Sequence, residues 1–195
     1  MQDRRVGIAG IDRLAWGEHS CVFFYDKAEL LRLTVPYIKA GLEDGELCMW
    51  ITGEPVDEGE AFQALEQALP NAAEYIANKQ LEIFAHSSWY VSSAVFDADR
   101  VLSKWLTKSK QAEMQGLAGL RITGNPFWLR TENEWSQFGG YEQAVTDAIR
   151  YKNIIALCTY PGPICREDQV HRVLSTHRSA LFVENDSWQH LVLTP

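Results

Sequence analysis

Two periods of hydrophobic and polar positions alternate along the chain. Short, almost wholly apolar runs are each followed by a longer stretch in which apolar residues return every third or fourth position. The runs are His19–Tyr25, Leu47–Ile51, Leu81–Ala85, Gly119–Thr123 and Asn153–Thr159. Continuous apolar runs of this length fit strands covered on both faces, and the stretches between them fit amphipathic helices. Strand and helix in strict alternation predict an α/β fold: three layers, a mainly parallel sheet flanked by helices.

Helix signals sharpen the pattern. Asp26-x-x-Glu29 and Thr131-x-x-Glu134 have the spacing of capping boxes, in which a side-chain oxygen takes an orphan amide of the first turn. Leu31, Val35, Ile38 and Leu42 share one helical face, and Pro36, lacking an amide proton, is expected to kink that helix. Further helices are predicted near 58–69, from about Asp97 (inner stripe Val101, Leu102, Trp105, Leu106, Ala112), from Thr131 (Trp135, Phe138, Tyr141, Val145, Ala148) and over 166–178. Ala180–Val183 and His190–Leu193 read as a closing hairpin around Glu184-Asn-Asp186. Residues 1–17 read as a flexible N-terminal arm and 18–195 as a single domain.

Such alternation commonly builds a nucleotide site, but the chemistry for one is missing. The first strand passes directly into Asp26-Lys27, with no G-x-x-x-x-G-K-[ST] and no G-x-G-x-x-G. ATP binding is therefore not expected, and a scaffold without phosphate-handling residues suggests sensing or binding. A net charge of −8 argues against direct contact with nucleic acid. No apolar stretch is long enough for a bilayer, and the N-terminus lacks a signal-peptide core. Four scattered cysteines without a C-x-x-C pair suit reduced thiols, hence a cytoplasmic protein. The five histidines show no H-x-x-x-H or H-E-x-x-H spacing, so neither a metal nor another cofactor is expected. No G-x-S-x-G elbow appears.

Glu18–Tyr25, Val35–Leu42, Glu46–Trp50, Trp89-Tyr90, Gly119–Gly124, Trp128, Tyr141-Glu142, Ala156–Tyr160 and His177 follow one another as in the MEDS (methanogen/methylotroph, DcmR sensory) domain family, which the chain resembles over about residues 17–183. The resemblance implies a RecA/KaiC-like fold that has lost its Walker motifs. It also implies a non-catalytic sensory role in signal transduction. The implied ligand is a small organic molecule of the hydrocarbon-derivative kind, and the implied partner a histidine kinase or transcription regulator. It further points to His19 and Cys158 as ligand contacts. Asn125-Pro126 stands where the family pattern has an acidic residue.

Open α/β sheets bind ligands beyond the carboxyl ends of their strands. The residues arriving there are Tyr25, His86, Trp89, Tyr90, Asn125, Trp128, Thr159 and Tyr160, an aromatic set with a few polar anchors. Trp89, Tyr90 and Trp128 are expected to approach one another. The same aromatics could instead cover the sheet edge or meet a partner, including a second copy of the chain. Cys158 reads equally as a packed core thiol, and His177 as a hydrogen-bonded helix residue. His19 starts its strand and Cys158 nears the end of its own, so parallel strands roughly 20 Å long would hold them apart rather than as a direct pair. Arg121, in a central strand, needs a partner, and Glu142 is the expected one. A protein-interaction module without a small ligand, or a thiol- or histidine-dependent enzyme, are the alternative functions.

Overall fold

The computed structural model describes residues 3–92, 95–185 and 187–193. In chain order the elements are β1 (Asp3–Arg5), β2 (Arg13–Ala15), β3 (His19–Phe24), α1 (Lys27–Glu43), β4 (Leu47–Thr52), α2 (Glu58–Ala68), α3 (Ala72–Ala77), β5 (Leu81–Ala85), α4 (His86–Trp89), β6 (Val91–Ser92), β7 (Val95–Phe96), α5 (Ala98–Met114), β8 (Leu120–Gly124), α6 (Glu132–Ile149), β9 (Ile154–Pro161), α7 (Glu167–Thr176), β10 (Ser179–Glu184) and β11 (Ser187–Val192). The central sheet has the order β11-β10-β3-β9-β8-β4-β5. All its neighbours are parallel except the β10–β11 hairpin at one edge. Asp186, in the predicted turn of that hairpin, lies outside the described residues.

Alternation within each strand divides the core in two. One face carries Val22, Cys48, Trp50, Ile155 and Leu157 under α1, α2 and α3. The other carries Cys21, Leu47, Met49, Ile51, Ile122, Ala156 and Tyr160 under α5, α6 and α7. The predicted caps form: Asp26 accepts from the Glu29 amide, and Thr131 and Glu134 make a reciprocal box. Asp57 and Glu60 make another at the start of α2.

Three expectations change. Residues 3–17 are not a loose arm. β1 and β2 pair as a hairpin that buries Leu14 of β2, with Val6, Ile8 and Ile11 of the loop and Trp16 just beyond, in the core beneath α1, so hydrophobic burial ties the segment down. α1 continues as helix past Pro36, and what changes is its inner stripe. The centre of its buried face passes through Leu30, Leu33 and Tyr37, leaving Leu31 and Val35 half-buried at the margin. His86–Trp89, for which no helix is predicted, forms one helical turn.

Arg121 also finds a different partner. It lies on the α1 face, where its Nε donates to Glu46 Oε2 at 2.6 Å. Its terminal nitrogens donate to the carbonyls of Tyr37 and Arg5, both at 2.8 Å. Glu142, on α6, is across the sheet and cannot reach it. Gly41 makes room for this guanidinium: a Cβ there would stand 2.5 Å from Arg121 Nε.

Candidate functional site

On the α6 face, four chemically reactive side chains converge. His19 opens β3, Glu142 lies midway along α6, Cys158 is on β9, and His177 caps the end of α7. One donor atom from each lies within 4.8 Å of every other. His19 Nε2 is 3.3 Å from Cys158 Sγ and 3.2 Å from Glu142 Oε2. His177 Nε2 is 3.6 Å from Glu142 Oε2, and the two imidazole rings lie 4.1 Å apart. Tyr160 donates its hydroxyl to Glu142 Oε1 at 3.2 Å.

The register of the sheet explains why His19 and Cys158 meet, against expectation. β3 pairs with β9 so that His19 stands beside Ala156, with Cys158 two positions along on the same face. Two residues amount to about 7 Å. β9 continues three residues past Cys158, so the thiol sits mid-strand rather than at its end. The four donors come from four separate elements, which is why spacing along the chain revealed no ligand set. Glu142 was missed as a site residue altogether. Its signal was a carboxylate at the Tyr141-Glu142 step, inside the apolar stripe of its helix.

Hydrogen bonds settle the histidine tautomers. Thr146 donates its only hydroxyl proton to the Thr176 carbonyl at 2.6 Å, so at 2.7 Å its oxygen must accept from His19 Nδ1–H. His177 Nδ1–H donates to the Val173 carbonyl at 2.8 Å. Both Nε2 atoms therefore carry lone pairs and face the thiol and carboxylate. Burial pushes both imidazoles down to about 3, so they are neutral near pH 7 and neither pairs with Glu142 as an ion. Burial raises the Glu142 carboxyl above the ordinary carboxylate range and lifts the Cys158 thiol well above its usual value, reinforced by Glu142.

Aromatic rings wall this cluster. Tyr90 lies 6.2 Å from Trp128, 6.0 Å from Phe138 and 6.4 Å from Tyr141, and Phe96 packs on Trp128 at 5.4 Å. Gly124, beside Cys158 in the sheet, lets the Tyr90 hydroxyl approach: a Cβ would lie 2.5 Å from it. Among the described residues, the buried indole N–H of Trp128 has no partner. Cys158, on β9 between β3 and β8, is half-buried and keeps some accessible surface.

The other strand-end residues are spread more widely. Trp89 packs on Phe84 and Trp105 instead of joining Trp128. Thr159 faces the opposite side and donates to the Gly124 carbonyl at 3.1 Å. Asn125 is tied to the Glu54 carbonyl at 2.8 Å and to the Phe127 amide at 3.0 Å. His86 rests against Phe127, and Tyr25 is 78% exposed. At the start of α1, where a phosphate loop would open, Asp26 and Glu29 carboxylates already occupy the amides of Glu29 and Tyr25. Two anions there disfavour a third. Along the carboxyl edge runs an apolar groove of about 500 Å³ lined by Phe23, Phe24, Tyr25, Leu181, Phe182 and Trp188. No helix among the described residues is long and apolar enough to cross a membrane.

Comparison with known proteins adds three findings. The model of the family described as MEDS: MEthanogen/methylotroph, DcmR Sensory domain matches residues 18–178. The transcriptional repressor DcmR of Methylorubrum extorquens (strain DSM 6343 / CIP 106787 / DM4) is 24% identical over 177 residues, which cover 87% of this chain and 61% of the repressor. The chain thus spans about three fifths of the length of that curated relative. A KaiC-like protein of the hyperthermophilic archaeon Pyrococcus horikoshii OT3 superposes with a TM-score of 0.59 at 14% identity, covering 97% of this chain and 85% of that one. At that identity the likeness shows the fold: RecA/KaiC-like, as the sequence resemblance implied.

Proposed function

The chain belongs to the methanogen/methylotroph, DcmR sensory domain family, and on that premise we propose that it is a non-catalytic sensory module for a small organic ligand of the hydrocarbon-derivative class. The ligand sits beneath α6, against Cys158, Tyr90 and Trp128, rather than at the open carboxyl edge. Its presence is passed to a histidine kinase or transcription regulator, as the repressor relative suggests, in the cytoplasm, with self-association as one route.

The observation that carries this reading is Cys158: a half-buried thiol of a central strand, in contact with His19 and beside the aromatic cluster of Tyr90 and Trp128. Small-molecule sites are mostly apolar cavities with few polar anchors. The rings of Tyr90, Trp128, Phe96 and Phe138 supply the apolar wall, and the unpartnered Trp128 N–H supplies an anchor. A thiol held far above its ordinary pKa is a poor nucleophile, which favours binding over turnover.

The test is a thermal-shift and tryptophan-fluorescence screen of small alcohols, amines, thiols and halocarbons. A binder should raise the melting temperature, because it stabilises only the folded state. Trp128→Ala should weaken that binder by about 1–3 kcal/mol, the worth of one buried aromatic contact. If no compound moves either signal, the protein-interaction reading replaces this one. Its surface would be the groove at the ends of β3 and β10, where Tyr25, Phe182 and Val183 are exposed.

A further inference from the structure

We propose that His19, Glu142, Cys158 and His177 form a binding site for one divalent transition metal of the zinc class.

The donor set has the right chemistry. Two imidazoles, a thiolate and a carboxylate are the ligands such ions prefer. Bound together they carry two negative charges, so a divalent cation makes the buried site neutral overall. The spacing is also suitable. Tetrahedral ligands about 2.0–2.3 Å from an ion stand about 3.3–3.7 Å from one another. The measured contacts are 3.2 Å from His19 Nε2 to Glu142, 3.3 Å from His19 Nε2 to Cys158, 3.6 Å from His177 Nε2 to Glu142 and 3.8 Å from Cys158 to Glu142.

The surroundings hold these ligands in a metal-ready state. Metal-bound histidines typically donate their second ring N–H to an oxygen, which fixes the tautomer and aims the free nitrogen. Both histidines here do so: His19 toward Thr146, itself anchored on the Thr176 carbonyl, and His177 toward Val173. Protons alone serve the cluster poorly. The thiol proton can reach one acceptor, and the 3.6 Å separation puts Glu142 beyond hydrogen-bond reach of His177. His177 Nε2 is accordingly buried with no partner among the described residues. Buried polar atoms left this way are uncommon and call for a missing partner. An ion among the four donors supplies one, displacing the thiol proton to solvent. A cavity of about 300 Å³, lined by Glu18, Thr146, Thr176, His177 and Arg178, lies beside the cluster.

This inference does not rest on the organic-ligand reading, which concerns the aromatic side of Cys158. The experiment titrates chelator-treated full-length chain with cobalt(II), then competes the ion off with zinc(II). One equivalent of cobalt should bind and show a thiolate-to-metal charge-transfer band with the visible d–d bands of a tetrahedral site. Cys158→Ser should abolish the charge-transfer band, while Cys165→Ser, outside the cluster, should leave it intact. Thr146→Val, which removes the acceptor for His19 Nδ1–H together with the bond that anchors it on the Thr176 carbonyl, should weaken zinc binding about 10- to 100-fold. If Cys158→Ser fails to fold, the Thr146→Val affinity decides. A wild-type spectrum without the charge-transfer band, a band that survives Cys158→Ser, or an unchanged affinity in Thr146→Val would overturn the proposal.

Discussion

Two polar clusters are buried on opposite faces of one sheet, and they differ in how completely they are satisfied. On the α1 face, Arg121 uses its donors on Glu46, Tyr37, Arg5 and Val6, and Glu46 takes a further bond from Arg4 at 2.7 Å. Every strong group is answered by protein. On the α6 face, two imidazole lone pairs, a thiol and a carboxylate face one another, and His177 Nε2 goes unanswered. Burial costs a polar group whatever it lacks in partners. A saturated cluster repays that cost in the fold itself. The unsaturated one would be completed by the ion proposed above. Satisfaction, rather than burial or charge, separates scaffold from site.

The widest gap should appear on removing one partner from each cluster. Arg121→Met leaves the buried Glu46 carboxylate with Arg4 as its remaining charged partner and should lower unfolding stability by up to about 3–5 kcal/mol in a urea titration. A loss near zero would mean that the saturated cluster is not structural.

A smaller effect follows from pH. In metal-free protein the two histidines fold with pKa values near 3, against about 6.5 when unfolded. The unfolded chain then binds more protons between those values, so stability falls as pH drops below 6.5, by about 1.4 kcal/mol per unit for each histidine. Glu142 works the other way. Its folded pKa is raised, so it regains stability as pH falls through that value. The two histidines should cost about 3 kcal/mol between pH 6.5 and 5, less the part that Glu142 returns, and His19→Gln with His177→Gln should flatten the curve. Arg121 stays charged throughout and contributes no such slope.

The smallest effect sharpens the contrast most. Glu142→Gln swaps a buried carboxyl of raised pKa for a neutral group of the same shape. It should change stability by no more than about 1 kcal/mol in the same titration. A loss matching that of Arg121→Met would make the two clusters equivalent and remove the distinction.

The sequence carried the order of strands and helices because each local signal agreed with the fold. Asp26 and Thr131 cap where spacing says they should, and the near-continuous apolar runs become interior strands. The N-terminal hairpin escaped notice because its strands are three residues each, too short for a period to register. The site was harder to read for a different reason. Assigning Arg121 to Glu142 required knowing which face each residue occupies, and setting His19 apart from Cys158 required the register of β3 on β9. Both are properties of tertiary pairing, where a shift of one residue reverses every side chain. What the residue types did carry is narrower: His19 and Cys158 meet beside Glu142, and Tyr90 packs near Trp128.

His177 stands one residue, Arg178, before β10, and the Arg178 amide donates to the carbonyl of His19 at 2.9 Å. The cluster is thus spliced into the backbone that launches the sheet's antiparallel edge. Leu193, just after β11, closes onto the Arg178 carbonyl at 2.8 Å. One residue of backbone therefore joins the buried His177 to a hairpin that displays Phe182, Leu191 and Val192 at the surface.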